Sequence, residues 1–300
     1  MLEPQLGMSV SELLGLAKAA ERLGFGYLCR SDHLADTGGR KGRESPECWV
    51  TLGAVAALTR SIKFGPLVSP VGFRNPAVLA SMAWALHSFS SGRLQLGVGA
   101  GWYEKEYLSY GIPFPPFKVR DEQLGEALQI IRPAAQGRRV DFHGKYFSAQ
   151  MEGHPRSAGR IHMVIGGGGR HIIQKAALYA DEWNFTELPS QEDLKQAKAV
   201  LSSSGRDVEV SQMGSFIIAE SEAQLKQKAR AMMRNAGIDT DVELYIKELR
   251  RKGRVVELAK RFGGQLSKHI EAGIDKFYFQ VLDKNDAESI NLLASVLKEL

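Results

Sequence analysis

The chain has 300 residues, 44% of them hydrophobic and 24% charged, with a formal net charge of +5. This is ordinary globular composition, long enough to bury a full core, and it excludes a disordered or fibrous chain. Nothing resembles a signal peptide, no apolar run approaches a membrane span, and the mild positive charge lacks the basic, aromatic-interleaved stripe that nucleic acid would require.

The first residues, Met1 to Pro4, read as the end of a β-strand and are followed by a turn through Gly7. A full barrel strand would be longer, so the expectation is a short first strand, Met1 to Pro4, paired between the second and last strands. Ser11 to Leu23 repeats Leu13, Leu14, Ala17, Ala20 and Leu23 on one helical face, and Gly24 stops it. Strand Phe25 to Arg30 runs into Ser31-Asp32-His33, and a Gly/Arg-rich loop spans Asp36 to Arg43. A helix from Pro46 leads to strand Ile62 to Ser69, and Asn75-Pro76 opens a third helix as cap and first-turn proline.

The stretch RLQLGVGAGWYEKEY, Arg93 to Tyr107, is the most informative. Leu94, Leu96 and Val98 alternate as in a strand, and then Gly97, Gly99 and Gly101 remove every second side chain. Such glycines allow a flat or charged ligand close to the backbone, and Trp102, Tyr103, Glu104 and Glu106 follow at once. The pattern is GxGxG and not the dinucleotide fingerprint GxGxxG. Asp121, at the spacing of that fingerprint's acid, falls in the helix-forming run VRDEQLGEALQII, which argues against a Rossmann fold.

A helix from Val119 to Arg132 and an extended excursion from Val140 to Ala149 precede strand His162 to Ile165. That strand ends in Gly166 to Gly169, a glycine run before helix His171 to Tyr179. Exposed amide groups and the helix dipole at such a start favour an anion. Strands Asp181 to Thr186, Val208 to Ala219 and Lys276 to Leu282 follow, separated by helices. A charged, helix-prone insertion covers about 241–263, and a helix from Ala287 ends the chain. Regular β-then-α alternation over eight strands points to one (β/α)₈ TIM-barrel domain across residues 1–300, with its site at the C-terminal strand ends. Glu3, Gln5, Asp32, His33, Ser69, Gly99 to Trp102, Gly166 to Gly169, Thr186 and Gln280 all fall at those ends. His143, His154 and His162 show no metal-ligand spacing, so no metal site is expected, and Cys29 and Cys48 are too few for a disulfide framework, which fits a cytoplasmic location.

The stretches AAERLGFGYLCRSDHL, GPLVSPVGFRNPAVLA, SSGRLQLGVGAGWYEKEYLSYGIPFP and IGGGGRHIIQKAALYADEWNF, in that order, resemble the bacterial-luciferase-like barrel oxidoreductases. Within them the chain looks most like the members that use the deazaflavin coenzyme F420, with the FMN monooxygenases as the alternative. The resemblance implies hydride transfer between a deazaflavin lying across the barrel mouth and a small organic substrate, often in a homodimer. It puts Asp32 on the cofactor and His33 beside the reacting centre as general acid or base, a role that suits imidazole. Ser69 and the preceding Pro66, Leu67 and Val68 match the stretch where family members hold the ring against a bulge with a rare cis non-proline bond, whose register the spacing here leaves open. Gly168, Gly169, His171 and Ile172 match the positions that receive the cofactor's phosphodiester, and Thr186 matches a substrate contact. Trp102 stands where family members that oxidise a sugar phosphate carry a catalytic glutamate, and Pro189 stands where they carry a phosphate-binding lysine. A sugar phosphate is therefore not the expected substrate. If the reaction needs a carboxylate, Glu104 or Glu106 would have to supply it, and Trp102 would form an apolar wall. A third reading, a flavin-binding protein without turnover, is opposed by His33.

Overall fold

The computed structural model describes residues 1–37, 43–153 and 159–300. His154 and the centre of the loop from Asp36 to Arg43 lie outside the described residues. The elements in chain order are α1 (Val10–Leu23), β1 (Tyr27–Arg30), α2 (Cys48–Leu58), β2 (Lys63–Pro66), β3 (Ser69–Pro70), α3 (Pro76–Phe89), β4 (Gln95–Gly99), α4 (Glu104–Ser109), α5 (Phe117–Ala135), β5 (Val140–His143) and β6 (Ser148–Met151). There follow β7 (His162–Gly166), α6 (Arg170–Tyr179), β8 (Glu182–Phe185), α7 (Gln191–Ser202), β9 (Glu209–Ala219), α8 (Glu222–Ala236), α9 (Val242–Arg251), β10 (Val255–Leu258), α10 (Ala259–Glu271), β11 (Lys276–Gln280) and α11 (Ala287–Leu297).

Local chemistry sets the helix ends. Ser9 and Glu12 form a reciprocal capping box at the start of α1, and Gly24 closes that helix in the left-handed conformation. Asn75 caps α3 through its side-chain oxygen, with Pro76 in the first turn. The helices pack around a parallel barrel. β4, β7, β8, β9 and β11 pair in sequence, β1 pairs with β2, and a bridge between Phe64 and Leu94 joins the two groups. Leu2 closes the ring, bridging Arg30 on one side and Val281 on the other. The expected pairing of the first strand is thus present, but shorter than Met1 to Pro4. Only Leu2 forms bridges, and Pro4–Leu6 turns away as a 3-10 helix.

Two other expectations change. The extended excursion after α5 is an antiparallel hairpin of β5 and β6. The insertion at 241–263 is not helical throughout. Gly253, at φ 72, ends the α9 region, and the apolar run of β10 adds to the second half of β9. β9 is therefore shared: Ser211 to Ser215 pair with β11 inside the barrel, and Phe216 to Ala219 pair with β10 beyond it. A satellite core of Ile217, Leu225, Met233, Ile246 and Val256 fills that extension. Among the described residues no helix is long and apolar enough to cross a membrane.

The opposite end of the barrel is held by charge. His162, Glu182 and Glu209, each the first residue of its strand, lie within metal-binding distance of one another. Sequence spacing hid this group because its members come from three strands. Lys276 places its ammonium 2.6 Å from Glu182 and 2.8 Å from Glu209, where a cation would otherwise sit. Burial works against the charge, but the hydrogen bond with His162 and the Lys276 ammonium still hold Glu182 below the ordinary carboxylate range. The group is an ion cluster at the N-terminal ends of the strands, away from the C-terminal ends that carry the site.

Candidate active site

The C-terminal ends of the strands surround a cavity of about 560 Å³. Glu3, Gln5, Asp32, His33, Leu67, Val68, Gly99, Gly101, Trp102, Gly168, Ile172, Thr186 and Gln280, all singled out from sequence, line it. Ser69, Glu104, Glu106, Gly169 and His171 do not. Ser69 and Glu106 are buried behind the lining, and Glu104 and His171 are exposed outside it.

The floor is Val68, for which Gly99 and Gly166 make room, while Gly97 also clears the Pro66 carbonyl. A Cβ on Gly97, Gly99 or Gly166 would come within 2.9, 2.8 and 2.8 Å of the Val68 methyls. The space those glycines open is thus filled by a side chain of this chain, and the ligand-facing surface is Val68 itself. The peptide bond between Leu67 and Val68 is cis. Gly101 is needed twice over: its φ is 80, and a Cβ there would strike the Tyr107 hydroxyl. That hydroxyl is buried without a partner among the described residues, and burial pushes it upward in pKa.

Two carboxylates stand behind the rim. Asp32, whose side chain has no exposed area, accepts from Arg74 at 2.6 and 3.3 Å and from the Ser69 hydroxyl at 2.6 Å. Trp49 in turn donates to Ser69 at 3.1 Å, and Arg74 also pairs with Glu47. Burial works against the Arg74 guanidinium, but Asp32 and Glu47 hold its pKa above the ordinary value. The carboxylate of Asp32 is thus held by Arg74 and Ser69 where it borders the mouth. Glu106, 1% exposed, accepts from the Leu34 amide at 3.0 Å and lies 2.8 Å from His33 Nδ1. Trp102 and Tyr103 stand edge-on to the His33 ring, at 5.7 and 6.4 Å between centroids. Trp102 is 66% exposed and overhangs the opening.

Gly169 is the cap residue of α6, at φ 87, and supplies no side-chain oxygen. The first hydrogen bonds of that helix run from Ile172 and Ile173 to Gly169, so the Arg170 and His171 amides stay without partners among the described residues. Gly168 is open, with nothing within 4 Å of a Cβ position. A second cavity, of about 520 Å³, shares Gly168 and continues along Gly169, Arg170, Trp183 and Pro189.

On the far wall Glu3 accepts from Gln5 and Gln280, each at 2.6 Å, and Ser31 donates to Gln5 at 2.7 Å. No lysine or arginine lines the mouth among the described residues. Thr37, Phe117, Asn184 and Met213 also line it and were not foreseen, since nothing local marks them. Arg254, from the insertion, donates to the carbonyls of Thr186 and Met213, and a Cβ on Gly214 would collide with it. No sequence signal announced that clasp, which spans 41 and 68 positions.

With this geometry in hand, comparisons with known proteins fall into place. Curated relatives include an F420-dependent glucose-6-phosphate dehydrogenase of Nocardia farcinica, 35% identical over 52% of this chain and 48% of that one. Another is an F420-dependent hydroxymycolic acid dehydrogenase of Mycobacterium tuberculosis, 31% identical over 62% of this chain and 51% of that one. The chain thus spans about half the length of the curated relatives it matches. Among solved structures, an F420-dependent secondary alcohol dehydrogenase superposes over 97% of this chain and 94% of its own, with a TM-score of 0.82 and 18% identity. A monooxygenase from Streptomyces bottropensis does so over 98% and 94%, with a TM-score of 0.81 and 18% identity. These two share the barrel fold. The sequence profile of one family covers residues 2–277, nearly the whole barrel, and by that match the chain belongs to the luciferase-like monooxygenase family.

Proposed function

We propose that this protein is a coenzyme F420-dependent oxidoreductase that exchanges a hydride with a small, uncharged organic substrate. The observation that carries the reading is the meeting of three features in one mouth: the apolar seat of Val68, the imidazole of His33, and the uncapped start of α6 beside the open Gly168. A deazaflavin supplies the two-electron hydride chemistry when bound. The residues fit such a group. Val68 with Leu67 would face the ring, and Gly168, Ile172 and the amides of Arg170 and His171 would hold its phosphodiester, helped by the helix dipole. His171 would act there through its backbone, since its side chain is outside the cavity.

His33 handles the proton that accompanies the hydride, within reach of a substrate held by Glu3, Gln5, Gln280 and Thr186. A mouth without a basic side chain among the described residues favours a neutral substrate. Trp102 and Pro189, in place of a carboxylate and a lysine, argue against a sugar phosphate, although a curated relative is named for one. The same seat would accept FMN, and several structural neighbours are monooxygenases, one of them in complex with FMN, so an FMN monooxygenase is the second reading. Soaking the protein separately with F420 and FMN, dialysing, and recording the absorbance separates the two. Retention of F420 and loss of FMN is expected, and the reverse would replace the first reading by the second.

We further infer a homodimer. The adjacent helices α2 and α3 contain no Asp, Glu, Lys or Arg, yet their outer faces leave Val50, Leu58, Val78 and Phe89 exposed. A helix that is apolar all round is normally covered, and a second copy of the chain offers the matching uncharged face. Cys29 and Cys48, both buried and unpaired, suit a reducing cytoplasm.

A further inference from the structure

Glu106 was a candidate for direct chemistry, but it does not reach the cavity. Its two oxygens are spent on two neighbours: Oε1 lies 2.8 Å from His33 Nδ1, and Oε2 accepts the Leu34 amide at 3.0 Å. An ionised carboxylate only accepts hydrogen bonds. A 2.8 Å contact with it therefore requires a proton on Nδ1. In a neutral imidazole the other nitrogen, Nε2, is then bare. His33 lines the mouth, and no described residue bonds to its Nε2. Trp102 and Tyr103 flank the ring, near perpendicular at 90° and 87°. The partners come from different elements. His33 follows β1, and Glu106 sits in the first turn of α4, so the contact also ties the β1 loop to the α4 turn.

We propose that Glu106 is a positioning residue that fixes His33 as the Nδ1-protonated tautomer and leaves Nε2 as a proton acceptor facing the substrate. The proposal rests on the oxidoreductase reading for its consequence, though not for its geometry. In the direction of alcohol oxidation, the substrate's O–H bond breaks and its proton passes to Nε2. As the carbon–oxygen double bond forms, the C–H electron pair would leave as hydride, and accepting it is the chemistry a deazaflavin would supply when bound. The imidazolium left behind lies against the buried Glu106 carboxylate, which stabilises it as a buried aspartate does in hydrolase triads. In the reverse direction the imidazolium returns the proton to the carbonyl oxygen.

The tautomer is directly readable. Long-range ¹⁵N–¹H correlation spectra of the full chain, without cofactor, report which ring nitrogen of each of the seven histidines carries the proton. His33→Gln identifies the His33 signals by their loss. The expected pattern is protonated Nδ1 and bare Nε2 for neutral His33. In Glu106→Gln the amide can donate to Nδ1 instead, so the pattern should move toward protonated Nε2. Turnover should then fall on the order of 10²- to 10⁴-fold, with F420 affinity retained. Glu106→Asp keeps the carboxylate and should recover part of both the tautomer and the rate. A wild-type His33 protonated on Nε2 would overturn the proposal without any variant, as would an unchanged tautomer in a folded Glu106→Gln protein. The oxidoreductase reading fails separately, by absence of F420 binding to a wild-type protein that shows the expected tautomer.

Discussion

Removing the His33 imidazole should cost turnover far more than cofactor binding. His33→Ala is expected to lose roughly 10²- to 10⁴-fold in kcat, because a positioned acid–base group contributes that much, while F420 affinity changes little. Comparing kcat with the F420 dissociation constant checks this, and equal losses in both would move His33 to the binding residues. Val68 gives a second residue-scale test. Gly99→Ala sets a Cβ 2.8 Å from a Val68 methyl, an overpacking that typically costs about 1–3 kcal/mol. Thermal unfolding should show that loss, and Val68→Ala in the same chain should relieve part of it. A double variant that merely sums two losses would mean the two side chains do not compete for one space. The alternating glycines were legible in the sequence as the bottom of a site, but what fills them was not. Val68 is about thirty positions away, and short-range patterns carry no such contact. For the same reason His33 and Asp32 could be found as strand-end residues, while their partners, 73 and 42 positions distant, were beyond reach.

At the scale of elements, the start of α6 is the feature with the clearest electrostatic consequence. Gly168→Asp adds a negative charge where the unpaired amides point, in a backbone conformation that tolerates a side chain and in open space. It should weaken F420 binding by at least about tenfold, since a like charge at a helix start and loss of close approach act together. Gly168→Ala controls for the side chain alone. Gly169→Asp is a poorer test because φ 87 adds backbone strain to the charge. Equal affinities for wild type and Gly168→Asp, measured by fluorescence titration, would remove the anion site. The glycine run before a helix was legible because its chemistry is local. Strand β10 was not, because four residues between charged helical stretches carry no period of their own, and their strand state comes from the free edge of β9. Leu2 shows the same dependence on context. One residue closes the barrel because both neighbouring strands already offer unpaired groups to it.

The alternation of strands and helices was readable over the whole molecule because each unit repeats the same apolar pattern, and closure follows from the count. The proposed homodimer belongs to this scale too, and rests on the outer faces of α2 and α3. If α2 and α3 meet a second copy, the chain at micromolar concentration should elute with the mass of a dimer, and Val50→Glu with Val78→Glu should convert it to a folded monomer by burying charge at the seam. Light scattering on the eluting peak checks both, and a monomeric wild type would contradict the inferred face. The proposed function depends on one arrangement, a deazaflavin seated on Val68 with its phosphodiester at the start of α6. The most direct test is a crystal structure of the protein soaked with F420. The expected result is density for the ring between Val68 and His33, and for the phosphodiester at Gly168 and the Arg170 and His171 amides. Density for the cofactor elsewhere, or a mouth that stays empty in crystals of a protein that retains F420 in solution, would contradict it.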